Sequence, residues 1–572
     1  MRRSSLSLCA ILVLALLALA AGAVHVRGKI VRVGISGSSE SQSGSDWYRP
    51  GQWGPILVEL NNDDGDLFEG IVQVEQIDRD GDQLVASTEV AVRGTRQYYL
   101  YVPATSSQRT EHGFRVRVLD LDGAAIPLYD DNNQRTVDFR PATEVTPISS
   151  GAQFVLDLSR RGLPQLARMH DPNLTRELVI GRLAPESLPD SVAGLEMVDV
   201  IVWDDANPGD LRDVIVQTQA LLDWTRRGGT LVLAIGRNWE MLQRSPLAPI
   251  LPAALRGTSS STSLPELSRA IRSLELDFDT PITYCPIRRS DLMPDARPII
   301  PARVEGPDTE IFAATRPVGR GRVVLIAAEL RDILPQATSE AAVLRELLGI
   351  RRGYDARPPI VVSRDLFTFL ESATGFRQTT SAYFLAAFGF VTVYVLVATA
   401  GSWHWLKKRQ RTTLAWPAFA IVGLAASGVS LAAVQFIRGI GHQVQQITVL
   451  DTRAGDRNGI ARCYFGLKTA AHLNLDLAML GSADDPNTAE SPAALLPLPE
   501  NPERFGHSVY SAGERYRAVA PLGQLWSVPL RATLKQLQGI WEGDAGGQIY
   551  AMLQRRTAGT HLLTPTSWIQ ND

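Results

Sequence analysis

Cysteine and histidine are scarce in this 572-residue chain, and neither is clustered. The three cysteines, Cys9, Cys285 and Cys463, form no CxxC pair, and the eight histidines form no HxxxH or HExxH motif. No zinc-ligand spacing is left, and no metal or other cofactor is expected. An excess of charge is also missing. Lys and Arg number 57 against 60 Asp and Glu, and there is no long basic block, which argues against nucleic acid as a partner. Charge is absent altogether from two stretches, 381–403 and 413–436. Each has the length of a helix that crosses the hydrocarbon core of a bilayer. Neither holds an acidic or basic residue, which argues against a proton relay inside the membrane.

What is present fixes an expected topology. Lys407, Lys408, Arg409 and Arg411 crowd the short loop 404–412 between the two apolar stretches. The positive-inside rule puts that loop in the cytoplasm, and Trp403, Trp405 and Trp416 flank it as an interfacial belt would. At the start of the chain, Arg2 and Arg3 precede an apolar run from Leu6 to Leu19 and then Ala21-Gly22-Ala23. That is the pattern of a signal peptide over 1–23, with an uncleaved anchor as the alternative. Either one exports the chain beyond it, so both 24–380 and 437–572 are expected outside the cell membrane, in the periplasm of a bacterial envelope. The expected partners are the membrane and other envelope or membrane proteins.

The exported parts differ in periodicity. Over 24–148, Ile56, Val58 and Leu60 share a face, Val72 and Val74 alternate with Gln73 and Glu75, and Phe114, Val116 and Val118 alternate with Arg115 and Arg117. Period two with turn residues between the runs predicts a β-sandwich. Asp78-Arg79-Asp80-Gly81-Asp82 lacks the spacing and distal Glu of a calcium loop and reads as a hairpin turn. Over 149–352 the strands become continuous apolar runs: AQFVLDLS, VDVIVWDD, GGTLVLAIG and GRVVLIAAEL. Such strands are buried on both faces, as in parallel sheets. An amphipathic helix precedes the third, with Asp210 as its expected cap, Leu211, Val214, Ile215 and Leu222 as its apolar face, and Gly228 as its stop. SEAAVLRELLG (339–349) reads as a closing helix, and 353–380 as a linker. After the second span, Leu473, Leu475, Leu477 and Met479 alternate with polar residues, so 437–572 reads as a second β-rich domain. The expected fold class is thus multidomain α/β plus β: β-sandwich, flavodoxin-like α/β domain, two transmembrane helices and a C-terminal β-rich domain.

The strand–helix–RRGGTLVL pattern resembles the class I glutamine amidotransferase-like fold, including its ThuA-like branch, over about 150–350. With its membrane pair, the chain resembles bacterial membrane proteins that carry such a domain. The resemblance implies a nucleophilic cysteine on a tight turn after a central strand, activated by a downstream histidine. The matching stretch here is Ala234-Ile235-Gly236-Arg237-Asn238, without Cys or Ser, and no histidine occurs from there to Leu348. Catalysis is therefore not expected, and the reading is a membrane-anchored scaffold or assembly protein with a degenerate enzyme domain. The alternative is a carbohydrate or polar-ligand module, or an unconventional hydrolase, using a crevice beyond the strand ends. That crevice would hold Asp157, Asp204, Asp205, Gly236, Arg237 and Asn238, although strand-end acids also commonly cap loops. Cys285 and Cys463, both exported under this topology, could form a disulfide or remain as small buried thiols.

Overall fold

The computed structural model describes residues 26–334 and 380–544, apart from 38–44, 63–65, 79, 105–113, 130–133, 142–143, 149–151, 168–177, 264–276, 300–308, 439–441, 453–457, 470–471, 479–493, 499–512, 520–523 and 531–533. The expected signal segment, the closing helix at 339–349 and most of the linker lie outside the described residues.

The first unit packs two sheets. One carries β1 (Val26–Val33), β2 (Trp53–Asn62) and β5 (Gly94–Pro103), in the order Arg135–Thr136, Leu128–Tyr129, β1, β2, β5. Ile56, Val58 and Leu60 are fully buried, as their alternation predicts. The other sheet holds β3 (Phe68–Ile77), β4 (Gln83–Val92) and β6 (Arg115–Leu119), with β3 antiparallel to both neighbours. Gln73 and Glu75 sit on the polar face of β3 yet are buried. The reason is electrostatic closure: Arg117 and Arg515 each reach Glu75 at 3.2 Å, and Gln73 donates to it at 3.0 Å.

Arg515 belongs to the far end of the chain, and this changes the expected domain plan. The six-stranded sheet runs β15 (Leu473–Ala478), β18 (Gln524–Leu530), β17 (Arg515–Val519), β4, β3, β6. β17 lies parallel to β4, with Arg515 opposite Gln83 and Ala518 opposite Ala86. The stretch expected as a separate C-terminal domain is thus partly an extension of the β6-β3-β4 sheet. The rest of it forms a four-stranded sheet, β13 (His442–Thr452), β14 (Asn458–Thr469), β19 (Lys535–Asp544) and β16 (Ala494–Pro497), in that order. Its core includes Phe465, Leu467 and Leu537 together with Trp53 and Leu84 of the first unit.

The middle unit is a seven-stranded sheet in the order β8 (Leu178–Arg182), β7 (Gln153–Asp157), β9 (Val200–Asp204), β10 (Thr230–Ala234), β12 (Gly321–Ile326), β11 (Ala313–Val318) and Arg297–Pro298. Strands β8, β7, β9, β10 and β12 are mutually parallel, and β11 returns antiparallel on β12. All of Val200–Asp204 is buried, which explains the lack of alternation in that run. Helix α1 (Val214–Arg226) connects β9 to β10. Its cap is Asp213, whose Oδ1 accepts from Ile215 and Val216 N–H at 3.1 Å, and not Asp210, which ends a preceding single turn capped by Asn207. Of the expected apolar face, Leu211 and Leu222 are buried and Val214 partly so. Ile215 is 74% exposed, whereas Gln217, Leu221 and Trp224 are buried, the polar atoms of Gln217 and Trp224 having found partners. Trp224 Nε1 donates to Val198 O at 3.1 Å, and Gln217 donates to Leu188 O. Gly228 ends the helix as expected, at φ +122°, where a side chain would be strained.

The first and middle units share one continuous core from Val26 to Leu334. The Arg49 guanidinium pins them, at 2.8 Å from Asp199 and 3.0 Å from Ala152 O. Cys285 and Cys463 are both free and both buried, in different cores, so the structure holds thiols where a bridge was one expectation.

Two helices are long and apolar enough to cross a membrane, Ala387–Lys408 and Ala415–Ala433. The first combines α4 (Thr380–Leu396), one π turn (Val397–Gly401) and α5 (Ser402–Lys408); the second is α6 (Ala415–Arg438). Helix therefore continues through Lys407 and Lys408, and the turn between the helices is shorter than the loop expected from composition.

Candidate functional site

The carboxyl ends of β7, β9 and β10 are adjacent, as the crevice requires, with Asp204 opposite Ala234 and Ala234 opposite Ile326 of β12. The residues expected to line it divide into two groups. Asp157 and Asp204 are each 2% exposed and serve the backbone. Asp157 accepts from Ser159 N–H at 3.0 Å and from Leu163 N–H at 2.6 Å, fixing the loop after β7. Asp204 accepts from Leu330 N–H at 2.6 Å and more weakly from Arg331 N–H at 3.4 Å, while its own N–H donates to Ser159 Oγ at 3.0 Å. It thereby holds the start of α3 (Leu330–Ile333) after β12; a short helix α2 (Trp239–Gln243) lies between, after β10. Burial pushes the Asp204 carboxyl up to about 7, against the lowering effect of the Leu330 N–H. Burial likewise raises Asp157, with its Ser159 and Leu163 hydrogen bonds opposing.

The second group, Asp205, Gly236, Arg237 and Asn238, ranges from buried to exposed. Asp205 adopts φ +52°, a left-handed conformation that costs a non-glycine residue on the order of 1 kcal/mol. Asn238 Nδ2 donates to Asp205 Oδ1 at 2.6 Å, so the ends of β9 and β10 are tied by side chains. Arg237 is exposed and Gly236 is buried. The strained turn therefore comes after β9, at Asp205, and not after β10, at 234–238. Among 234–238 no residue has left-handed φ.

A residue beyond the sequence reading completes this group. Glu329, at the end of the segment after β12, lays its carboxylate over Gly236, where a Cβ would come within 2.5 Å of Glu329 Oε1. Gly236 is small because that carboxylate needs the space. Burial raises the Glu329 pKa, and the charges of Asp205 and Asp332 raise it further, while Arg237 and Arg331 lower it. Asp205 is also raised, first by burial and then by Asp210, with Asn238 opposing. Glu329 thus joins Asp205 in this group, and its charge also raises Asp204. Glu329 lies in GRVVLIAAEL, a run the sequence identifies, but three residues past the end of β12. Paired raised carboxyls beside an amide can exchange a proton or bind vicinal hydroxyls. Among the described residues, no group of three His, Cys, Asp or Glu is arranged to hold a metal.

A second polar cluster lies outside the crevice. Asp78 Oδ1 accepts from Asp80 and Asp82 N–H at 2.8 and 3.0 Å, making the turn between β3 and β4. Lys535, at the start of β19, inserts its ammonium there, against Asp78, with Asp82 at 3.0 Å and Asp80 at 3.2 Å. Tyr516 donates to Asp78 Oδ2 at 2.7 Å and lies under the ammonium. Burial alone would lower the Lys535 pKa; the three carboxylates outweigh it and hold the ammonium above its usual range. Burial and Asp78 push the Tyr516 phenol up as well.

Residues 31–132 match the family model of a domain of unknown function, DUF8726. No curated protein matches the chain. Among solved structures, the cytoplasmic protein STM1381 from Salmonella typhimurium LT2 is 12% identical, with 31% of this chain and 88% of that one covered and a TM-score of 0.24. The exo-β-1,4-mannosidase Op5Man5 from Opitutaceae bacterium strain TAV5 is 13% identical, with 35% of this chain and 36% of that one covered and a TM-score of 0.22. The cold-adapted β-galactosidase from Rahnella sp. R3 is 11% identical, with 36% of this chain and 32% of that one covered and a TM-score of 0.22. The chain thus spans about a third of each glycosidase.

Proposed function

We propose that this chain is a non-catalytic, membrane-anchored scaffold or assembly protein of the bacterial cell envelope. The observation that carries the reading is the six-stranded sheet in which β17 pairs with β4. Strands from before and after the two apolar helices share its hydrogen bonds, so both parts lie on one side of any membrane those helices cross. Two spans satisfy that condition, with the basic turn on the opposite, cytoplasmic side. The result is a broad β-rich body on a helical hairpin, suited to presenting surfaces. The parallel strands run second, first, third, fourth, fifth, the flavodoxin-like order, which supports the degenerate amidotransferase-like reading of the middle unit. At its strained turn stands Asp205, a residue without the cysteine chemistry that fold would need. Crosslinking and mild-detergent purification from native membranes should recover a near-stoichiometric membrane-protein partner. Recovery of the chain alone, at monomer size, overturns the scaffold reading.

Asp205, Asn238 and Glu329 favour a second reading, a carbohydrate or polar-ligand crevice. On that reading Asp205→Ala abolishes binding in a glycan screen, while Asp204, engaged by backbone N–H groups, contributes no contact. Glycan binding unchanged by Asp205→Ala removes the crevice from consideration.

A further inference from the structure

The turn joining the two apolar helices concentrates positive charge. Lys407, Lys408, Arg409 and Arg411 are all exposed, and the sequence holds no Asp or Glu between Glu371 and Asp451. Among the described residues, none of the four forms an ion pair with a carboxylate. The turn backbone is satisfied from within: Arg409 N–H donates to Trp405 O at 3.2 Å, Gln410 N–H to Lys407 O at 3.1 Å and Arg411 N–H to Leu406 O at 3.1 Å. Gln410 takes φ +53° to close the helix, so the turn is a defined cap that sends its cations outward. The α5 dipole attracts Lys407 and Lys408 but falls off within one turn and does not account for Arg411.

Apolar and aromatic surface lies at the same level. Trp403 and Trp405 are each 53% exposed, and Trp416 is 82% exposed. The Arg409 guanidinium stacks 4.4 Å over the Trp405 ring. A guanidinium so placed still has N–H groups to offer a phosphate acceptor. Indoles beside unpaired cations, at the end of helices that bury almost none of their apolar surface in the protein, match the headgroup layer of a bilayer. A soluble acidic peptide would pair the cations but leave the indoles in water.

We propose that this turn is a binding site for anionic phospholipid, with Arg409 and Arg411 taking the headgroup phosphate and Lys407 and Lys408 adding charge. The inference rests on the membrane-anchored reading above. The full chain, reconstituted in vesicles of equal phosphatidylglycerol and phosphatidylcholine, is extracted mildly, and the retained lipid is measured by mass spectrometry. Phosphatidylglycerol should be enriched about fivefold or more, in line with the attraction of a polybasic segment for anionic lipid. Arg409→Lys, which keeps the charge but loses the fork, should reduce the enrichment about twofold. Arg409→Gln with Arg411→Gln should abolish most of it, with protease accessibility of 26–334 confirming unchanged orientation. Retained lipid that mirrors the vesicle, or enrichment that survives the double variant, overturns the proposal. So does loss of the preference in millimolar inorganic phosphate, which marks a free-anion site. Release of the chain from membranes by alkaline carbonate overturns the membrane reading itself, and this proposal with it.

Discussion

Asp204 reads in the sequence as a lining residue of the candidate crevice, and in the structure it serves the backbone. Its carboxyl is buried, bonds the start of α3 and is raised to about 7 by desolvation. The folded state therefore binds a proton that the unfolded chain, with an ordinary carboxyl near 3.8, has already lost. Between those two values stability falls as pH rises, by a few kcal/mol from this one group, since each tenfold change in proton affinity is worth about 1.4 kcal/mol. Asp204→Asn should flatten that slope while keeping one acceptor for Leu330 N–H, as read from denaturation midpoints between pH 4 and 8. A midpoint that rises with pH in the wild type, or a slope unchanged in the variant, contradicts this assignment. Asp205 was legible as a strand-end residue, but its left-handed backbone was not, because no residue type marks which of two neighbouring turns absorbs the strain. Glu329 was hidden by its position past the end of an apolar run, where it reads as ordinary surface.

Periodicity revealed the strands well, since one-face burial and two-face burial leave different patterns. It failed where a polar face is closed by a distant partner, as at Gln73 and Glu75, and where Trp224 and Gln217 are buried by bonding to backbone carbonyls. The element most poorly read was the stretch after the helices. β17 pairs with β4, and Lys535 enters the Asp78 turn nearby, a contact between residues 457 apart in the chain. No local pattern can encode such a match, and the Asp-rich turn by itself has the composition of a solvated hairpin. Lys535→Met should leave three carboxylates without their cation, two of them buried, costing about 3–5 kcal/mol. Denaturation midpoints of the full chain in detergent should fall accordingly, and proteases should cut within 515–530 before the rest of the body. A change below about 1 kcal/mol, as for a surface pair, would sink this assignment.

At the scale of the whole molecule, the β-rich, multi-sheet character was legible and the connections between sheets were not. A sequence reader divides the chain at its apolar runs, yet the sheets ignore that division. The β17–β4 pairing also carries a consequence for biogenesis. Until residues 515–519 have been made and delivered, β4 keeps one edge without its native neighbour, although β3 on its other side is already in place. An open edge of that kind invites pairing with other chains. Synthesis of the last quarter of the protein is thus a period of exposure, and the order in which the chain emerges sets how long it lasts.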